Sequence, residues 1–279
     1  MMEHKLGNRL LAALPPADFD LIVPHLRKVS LEREMVLARS GDKIEHIYFP
    51  RTGAISFMQD MPNGQTVATA VVGNEGAVGM LSVLGPSRSP VTAVVHVPGT
   101  ALQISPARFL AAFNHSSALK QAVQIHTISL LAQFQLVAAC NALHTVEARL
   151  ARWLLHIHDR ARVDLLPLTQ EVLSDLIGVR RPTVTHVVHK LRESGAIRST
   201  QRGMIEIDRP RLEAATCECY VMMRRRIDQI VSPDVKVLPT HTPSAHAVPR
   251  AQDALLPKAQ GPGRNPRPHS TTVHRPRGH

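Results

Sequence analysis

Between Gly99 and Gly178 the chain has no glycine, and between Pro106 and Pro167 it has no proline. The two residues that most often interrupt a helix are therefore missing from its middle. Leu119, Val123, Leu130, Phe134 and Val137 recur there at spacings of three, four and seven, with Ile125, Ile128 and Leu131 widening the stripe. A helix this long and apolar must bury itself. It is either a core helix of one subunit or a coiled-coil-like seam between two, and the rest of the sequence favours the seam.

The stretch before it reads differently. Residues 47–49, 54–58, 66–72 and 93–97 are short runs rich in β-branched residues, and glycines 41, 53, 73, 76, 79, 85 and 99 mark corners. Asn63-Gly64 lies between two of the runs and predicts a tight hairpin, since both residues tolerate positive φ. Strands at this spacing predict a small antiparallel barrel or roll.

The stretch after it carries the most specific pattern. Thr169 is a suitable N-cap for a helix over 170–177, striped by Val172, Leu173, Leu176 and Ile177, and Gly178 ends it. A turn through Val179-Arg180-Arg181 leads to Pro182, expected at the first position of a second helix that Gly195 terminates. This is a helix-turn-helix layout. At 100° per residue, Val184, Val187, Val188 and Leu191 share the inner side of that helix. Pro182, His186 and His189 lie opposite, flanked by Thr183, Thr185 and Lys190. Residues 196–199 and 204–207 then predict a wing with Arg202 at its tip. Short polar side chains behind an arginine pair suit the major groove, where arginine forks onto guanine and threonine meets a base edge.

Charge supports this by position more than by amount. The 279 residues hold 33 Lys+Arg against 22 Asp+Glu, a formal balance of +11, which suits nucleic acid and an acidic membrane equally. Residues 233–279 carry seven bases, two acids, nine prolines and no aromatic residue, so they read as a disordered basic tail. Between Gly178 and Arg202 there are six bases and one acid. Aromatics are only 3% of the chain, which argues against stacking of single-stranded bases. No secretory signal and no run of 18 apolar residues is recognised, and three cysteines are too few for a disulfide framework, so a cytoplasmic protein is expected.

The run 168–173 (Leu-Thr-Gln-Glu-Val-Leu), followed by Leu176-Ile177-Gly178-Val179-Arg180-Arg181-Pro182-Thr183-Val184-Thr185, resembles the C-terminal domain of Crp/Fnr-type bacterial transcription regulators. Residues 146–155 resemble the helix that leads into that domain. Gly41-Asp42, Ile47-Tyr48-Phe49-Pro50 with Gly53, and residues 73–81 resemble its effector domain. The resemblance spans about residues 5–230. It implies an α+β fold: an N-terminal antiparallel β-roll (double-stranded β-helix), a long dimerisation helix and a winged helix-turn-helix.

Domain bounds are expected at 1–115 for the cyclic-nucleotide-binding-like effector domain, 116–143 for the dimerisation helix and 144–232 for the DNA-binding domain, with the tail at 233–279. The resemblance implies a homodimer on palindromic double-stranded DNA, RNA polymerase as a further partner, and no membrane partner and no catalysis. The DNA-contacting set is Arg180, Arg181, Pro182, Thr183, Thr185, His186, His189, Lys190 and Arg202. The rival reading is a ligand-sensing protein whose basic helical domain meets a protein or a membrane.

Departures from the family pattern concern the effector. The pocket segment reads Gly76-Ala77-Val78-Gly79, with Ala77 where cyclic-nucleotide-binding members hold the ribose with glutamate. Val91-Thr92-Ala93 puts valine in place of the phosphate-binding arginine. A phosphate without a guanidinium loses its main charge-assisted contact. Arg88 could substitute from the preceding loop. No tight cyclic AMP binding is expected, and no cofactor. Cys217-Glu218-Cys219 offers two metal ligands, but with no nearby second pair these read as ordinary helix residues, and no metal site is expected.

Overall fold

The computed structural model describes residues 7–85, 87–200 and 203–230. Two short helices, α1 (Arg9–Ala12) and α2 (Pro16–Asp20), precede the strands β1 (Arg27–Leu31), β2 (Val36–Ala38), β3 (Ile47–Asp60), β4 (Thr66–Val72) and β5 (Thr92–Ile104). All five pair antiparallel, in the order β1-β5-β3-β4 with β2 also on β5. The runs 47–49 and 54–58 prove to be one bent strand of 14 residues. Its ladder with β5 slips between Pro50 and Ile55. At that bend Gly53 has φ of +89°, and a Cβ there would stand 2.6 Å from the Val97 carbonyl oxygen. Only glycine fits. The Asn63-Gly64 hairpin joins β3 to β4, yet only Gly64 takes positive φ. Asn63 instead accepts a hydrogen bond from the Gln65 amide at 3.1 Å, so the turn is not of the predicted doubly left-handed kind.

After α3 (Pro106–His115) comes the long helix α4 (Ser117–Leu143), whose N-cap Ser116 accepts from the Leu119 amide. The stripe read as one face divides into two. Leu119, Val123, Leu130 and Val137 are buried, whereas Ile128 (48% exposed), Leu131 (54%) and Phe134 (37%) face outward. The buried side packs on β4 and on the 3-10 turn Met80–Val83. With a mean hydropathy of 1.4, α4 is long and apolar enough to cross a membrane, which the sequence reading did not foresee. Its buried residues nevertheless include His126, Ser129 and Gln133, as a helix packed on protein allows.

The rest is built on α5 (Val146–Ala161), which starts at the Thr145 cap and buries Leu150, Trp153, Leu154 and Ile157. A buried ion pair, Arg160 Nε to Glu75 Oε1 at 2.7 Å, ties α5 to the loop after β4. β6 (Leu165–Leu166), α6 (Gln170–Ile177), α7 (Arg181–Glu193), β7 (Ile197–Thr200), β8 (Met204–Ile207), α8 (Arg209–Ala215) and α9 (Cys219–Ile230) follow. The small sheet has the order β6-β8-β7. The tail at 233–279 lies outside the described residues.

Candidate nucleic-acid interface and effector pocket

Local chemistry sets the helix-turn-helix. Thr169 Oγ1 accepts from the Val172 amide at 3.3 Å, satisfying one of the donors that a helix start leaves open. Gly178 takes φ of +66° and donates its amide to the Ser174 carbonyl, closing α6. Arg180 is the cap of α7, so Arg181 is its first residue and Pro182 its second, one position later than expected. Neither position has an intrahelical amide partner, and proline costs nothing at either.

Packing then sorts the faces of α7. Val184, Val187, Val188 and Leu191 are buried against the domain core. Arg180, Arg181, Pro182, Thr183, Thr185, His186, His189 and Lys190 are all exposed. Arg202 lies outside the described residues; the hairpin it belongs to pairs Ile197 with Ile207 and Arg198 with Glu206. The positive end of the α7 dipole adds to the two arginines there, so an anion is favoured at this end.

Several of these side chains already have partners, which the count of six bases to one acid hid. Arg181 pairs with Glu171, and Lys190 Nζ lies 3.7 Å from Glu147 Oε2. His189 lies 3.3 Å from Glu193, and Thr185 donates to Gln170 Oε1 at 2.9 Å and to the Arg181 carbonyl at 3.0 Å. Glu147 and Glu171 come from α5 and α6 and escaped a reading confined to one helix. Exposed ion pairs of this kind are worth at most about 1 kcal/mol, so they can be exchanged for phosphates.

The candidate pocket in the roll is closed rather than receptive. Ala77, Gly79, Val91 and Ala93 line a cavity of about 90 Å³ together with Phe57, Met80, Leu130 and His126. Binding sites for small molecules run to about 300–1,000 Å³. Gly76 is not on that wall: a Cβ on it would stand 3.1 Å from His126 Cε1. Thr92 is turned to structural work, donating to Asp60 Oδ2 at 2.6 Å and accepting from the Ser40 amide at 3.2 Å. Arg88 donates to the Gly41 carbonyl at 2.7 Å and does not line the cavity. His126 reaches in from α4; burial lowers its pKa to about 4, against a hydrogen bond to the Ala77 backbone that raises it. The imidazole is therefore neutral, and no cation lines the space.

The expectation for Cys217 and Cys219 needs correction. Cys217 sits in the link between α8 and α9, outside any helix, and Cys219 is the first residue of α9. Cys140 and His144 from the end of α4 stand beside them, supplying the pair that the sequence did not reveal.

Comparison with known proteins follows the same division. Residues 28–116 match the cyclic nucleotide-binding domain family, and residues 148–215 match the Crp-like helix-turn-helix domain family. Among solved structures, a Crp/Fnr-family transcriptional regulator from Eubacterium rectale is similar over 74% of this chain and 96% of its own, at 15% identity and a TM-score of 0.60. FixK2 from Bradyrhizobium japonicum is similar over 69% of this chain and 98% of its own (18% identity, TM-score 0.58). TTHA1359 of Thermus thermophilus, a CRP/FNR-family regulator, is similar over 68% and 97% (21% identity, TM-score 0.56). No curated protein is significantly similar in sequence.

Proposed function

This chain belongs to the Crp/Fnr-type transcription regulators, and from that premise we propose that it acts as a homodimer on a palindromic operator, independently of cyclic AMP. The observation that carries the reading is the sorting of α7: its four aliphatic residues are buried, and the Arg180–Lys190 surface is free to enter a groove. Arg180, Arg181, Lys190 and Arg202 would hold phosphates and set affinity. Pro182, Thr183, Thr185, His186 and His189 would meet base edges and set sequence choice.

The outward face of α4 supports the dimer. Gln124, Ile128, Leu131, Gln135, Ala138 and Ala142 follow one another at alternating spacings of four and three, the period of a coiled-coil seam. Paired along this line, two chains would present their α7 helices to successive major grooves about 34 Å apart. The closed, uncharged pocket supports independence from cyclic AMP. RNA polymerase is the further partner in this proposal, the cytoplasm its compartment, and binding rather than catalysis its mode of action.

The test is a gel shift with the DNA upstream of the protein's own gene at two salt concentrations, followed by genome-wide mapping of bound sites. Salt-sensitive retardation and a recurring two-fold symmetric site are expected. Retardation no stronger than on unrelated DNA, with no shared motif among bound sites, would overturn the reading.

A further inference from the structure

Four side chains that no part of the DNA-binding argument uses converge where α4 ends and α9 begins. Cys140 lies in the last turn of α4, and His144, one turn on, is its C-cap. Cys217 and Cys219 bracket the entry to α9, 77 residues beyond Cys140 for the first of them. One donor atom from each, three Sγ and one imidazole nitrogen, all lie within 4.8 Å of one another. Cys140 Sγ is 3.6 Å from Cys217 Sγ, and Cys219 Sγ is 3.6 Å from His144 Nδ1. Tetrahedral ligands at zinc bond lengths of roughly 2.0–2.3 Å stand about 3.3–3.8 Å apart. The two separations fall on the edges of such a tetrahedron.

The surroundings match a metal centre in two further respects. His144 turns Nδ1 toward the sulfurs, and its Nε2 lies 3.2 Å from Glu218 Oε1. A carboxylate on the far nitrogen is the usual device for fixing a ligating histidine. On the other side, Arg152 is fully buried and donates from Nε to Cys140 Sγ at 3.2 Å. Its Nη1 and Nη2 have no hydrogen-bond partner, and no carboxylate pairs with it among the described residues. A buried, unpaired guanidinium is costly unless negative charge lies near. Three thiolates around a divalent ion leave one net negative charge beside it.

We propose that Cys140, His144, Cys217 and Cys219 form a closed four-ligand site for a thiophilic divalent cation of the zinc class. Thiolate and imidazole donors select such ions over magnesium and calcium, which take oxygen. With all four positions filled by protein, the site is structural rather than catalytic. Its place in the chain gives it a function. Two ligands precede α5 and two follow α8, so the ion clasps the entry and exit of the segment 148–215 that matches the helix-turn-helix family.

The test uses the full chain purified under reducing conditions, with metal content by mass spectrometry and cobalt(II) added as the spectroscopic probe. About one zinc per chain is expected, replaceable by cobalt with the sulfur-to-metal charge transfer and strong visible bands of a tetrahedral thiolate complex. Cys219→Ser removes the stoichiometric metal. Glu218→Gln, at an exposed carboxylate, keeps the fold and weakens metal binding roughly 10–100-fold. A chelator lowers the melting midpoint of the wild type and leaves that of Cys219→Ser unchanged. Wild-type protein that takes up neither ion in stoichiometric amount overturns the proposal. So does unchanged metal content in Cys219→Ser, or a Cys140–Cys217 disulfide recovered in place of metal from protein kept under reducing conditions.

Discussion

The pocket of the roll and the outer face of α7 occupy matching places in the two halves of the chain, each where a ligand would be met, and they are built in opposite ways. On α7 the apolar residues are spent inward and the polar ones remain outside, five of them with hydrogen-bonding or charged ends that solvent reaches. In the roll the polar ends have gone. Ala77 and Val91 line a cavity of about 90 Å³, and the histidine that enters it is uncharged. A surface can change partners by exchanging side chains, whereas a pocket that loses its charged groups closes up under packing. The pocket thus no longer suits the ligand of its family, while the surface still suits DNA.

The largest effect is expected where the α7 comparison depends on burial. Val184 is 0% exposed. Val184→Asp would place a carboxylate without a partner in the core, at a cost of about 4 kcal/mol or more. Thermal melting followed by circular dichroism should show loss of the second half's transition, and a variant that melts like wild type would show that the inner face is not packed as described.

Next comes acid. His126 has a pKa of about 4 in the fold against 6.5 when exposed, chiefly through burial. The unfolded chain therefore binds more protons than the folded one between these values, and stability falls as pH drops through that window. The slope is about 1.4 kcal/mol per pH unit for one histidine, or about 3 kcal/mol in all. His96, lowered to about 4 by burial and then by Arg33, acts in the same direction. His126→Gln should make the acid limb shallower, measured by urea unfolding at several pH values. An equal slope in the variant would place the proton uptake elsewhere.

Arg180→Ala with Arg181→Ala should cost about 10²-fold in operator affinity, at about 1–3 kcal/mol for a base-contacting arginine and less for a phosphate contact. Both are exposed, so the melting midpoint should hardly move. A lowered midpoint would mean that the Arg181–Glu171 pair does more for the fold than an exposed pair should.

These expectations also mark how far the sequence could be read. The cap at Thr169, the stop at Gly178 and the four buried positions of α7 follow from rules that act within a few residues, and they were legible. The two faces of α4 were not. Periodicity says that a stripe is apolar but not which part of it meets the roll and which is left outward. The bend in β3 was hidden because its corner, Gly53, looks in sequence like a break between strands. The cluster at Cys140 was out of reach for a plainer reason: its members stand 77 residues apart, and no local pattern joins them.

A smaller effect separates the roles within the α7 face. His186 is exposed, and no partner is recorded for it among the described residues. His186→Ala should cost about 1 kcal/mol at particular base pairs and little at others. Arg202→Ala, outside the described residues, should weaken all sequences alike and reduce the salt slope by about one. Binding to a library of operator variants reads both. A uniform loss for His186→Ala would move that residue from base reading to phosphate contact.

The smallest expected effect is none, and it tests the other half of the comparison. Cyclic AMP carries a phosphate that needs a cation, a ribose that needs an acceptor, and a bulk that needs a few hundred cubic ångströms. The roll offers no arginine on the cavity wall, alanine at position 77, and about 90 Å³. If the affinity were micromolar, 0.1 mM ligand would stabilise the folded chain by about 2.7 kcal/mol. Isothermal titration should give no saturable heat, and the melting midpoint should stay in place. Micromolar binding would require the cavity to open, with His126 and Phe134 moving out of the way. Because both residues sit on α4, that opening would have to shift the long helix, and the pocket would then be a switch rather than a sealed core.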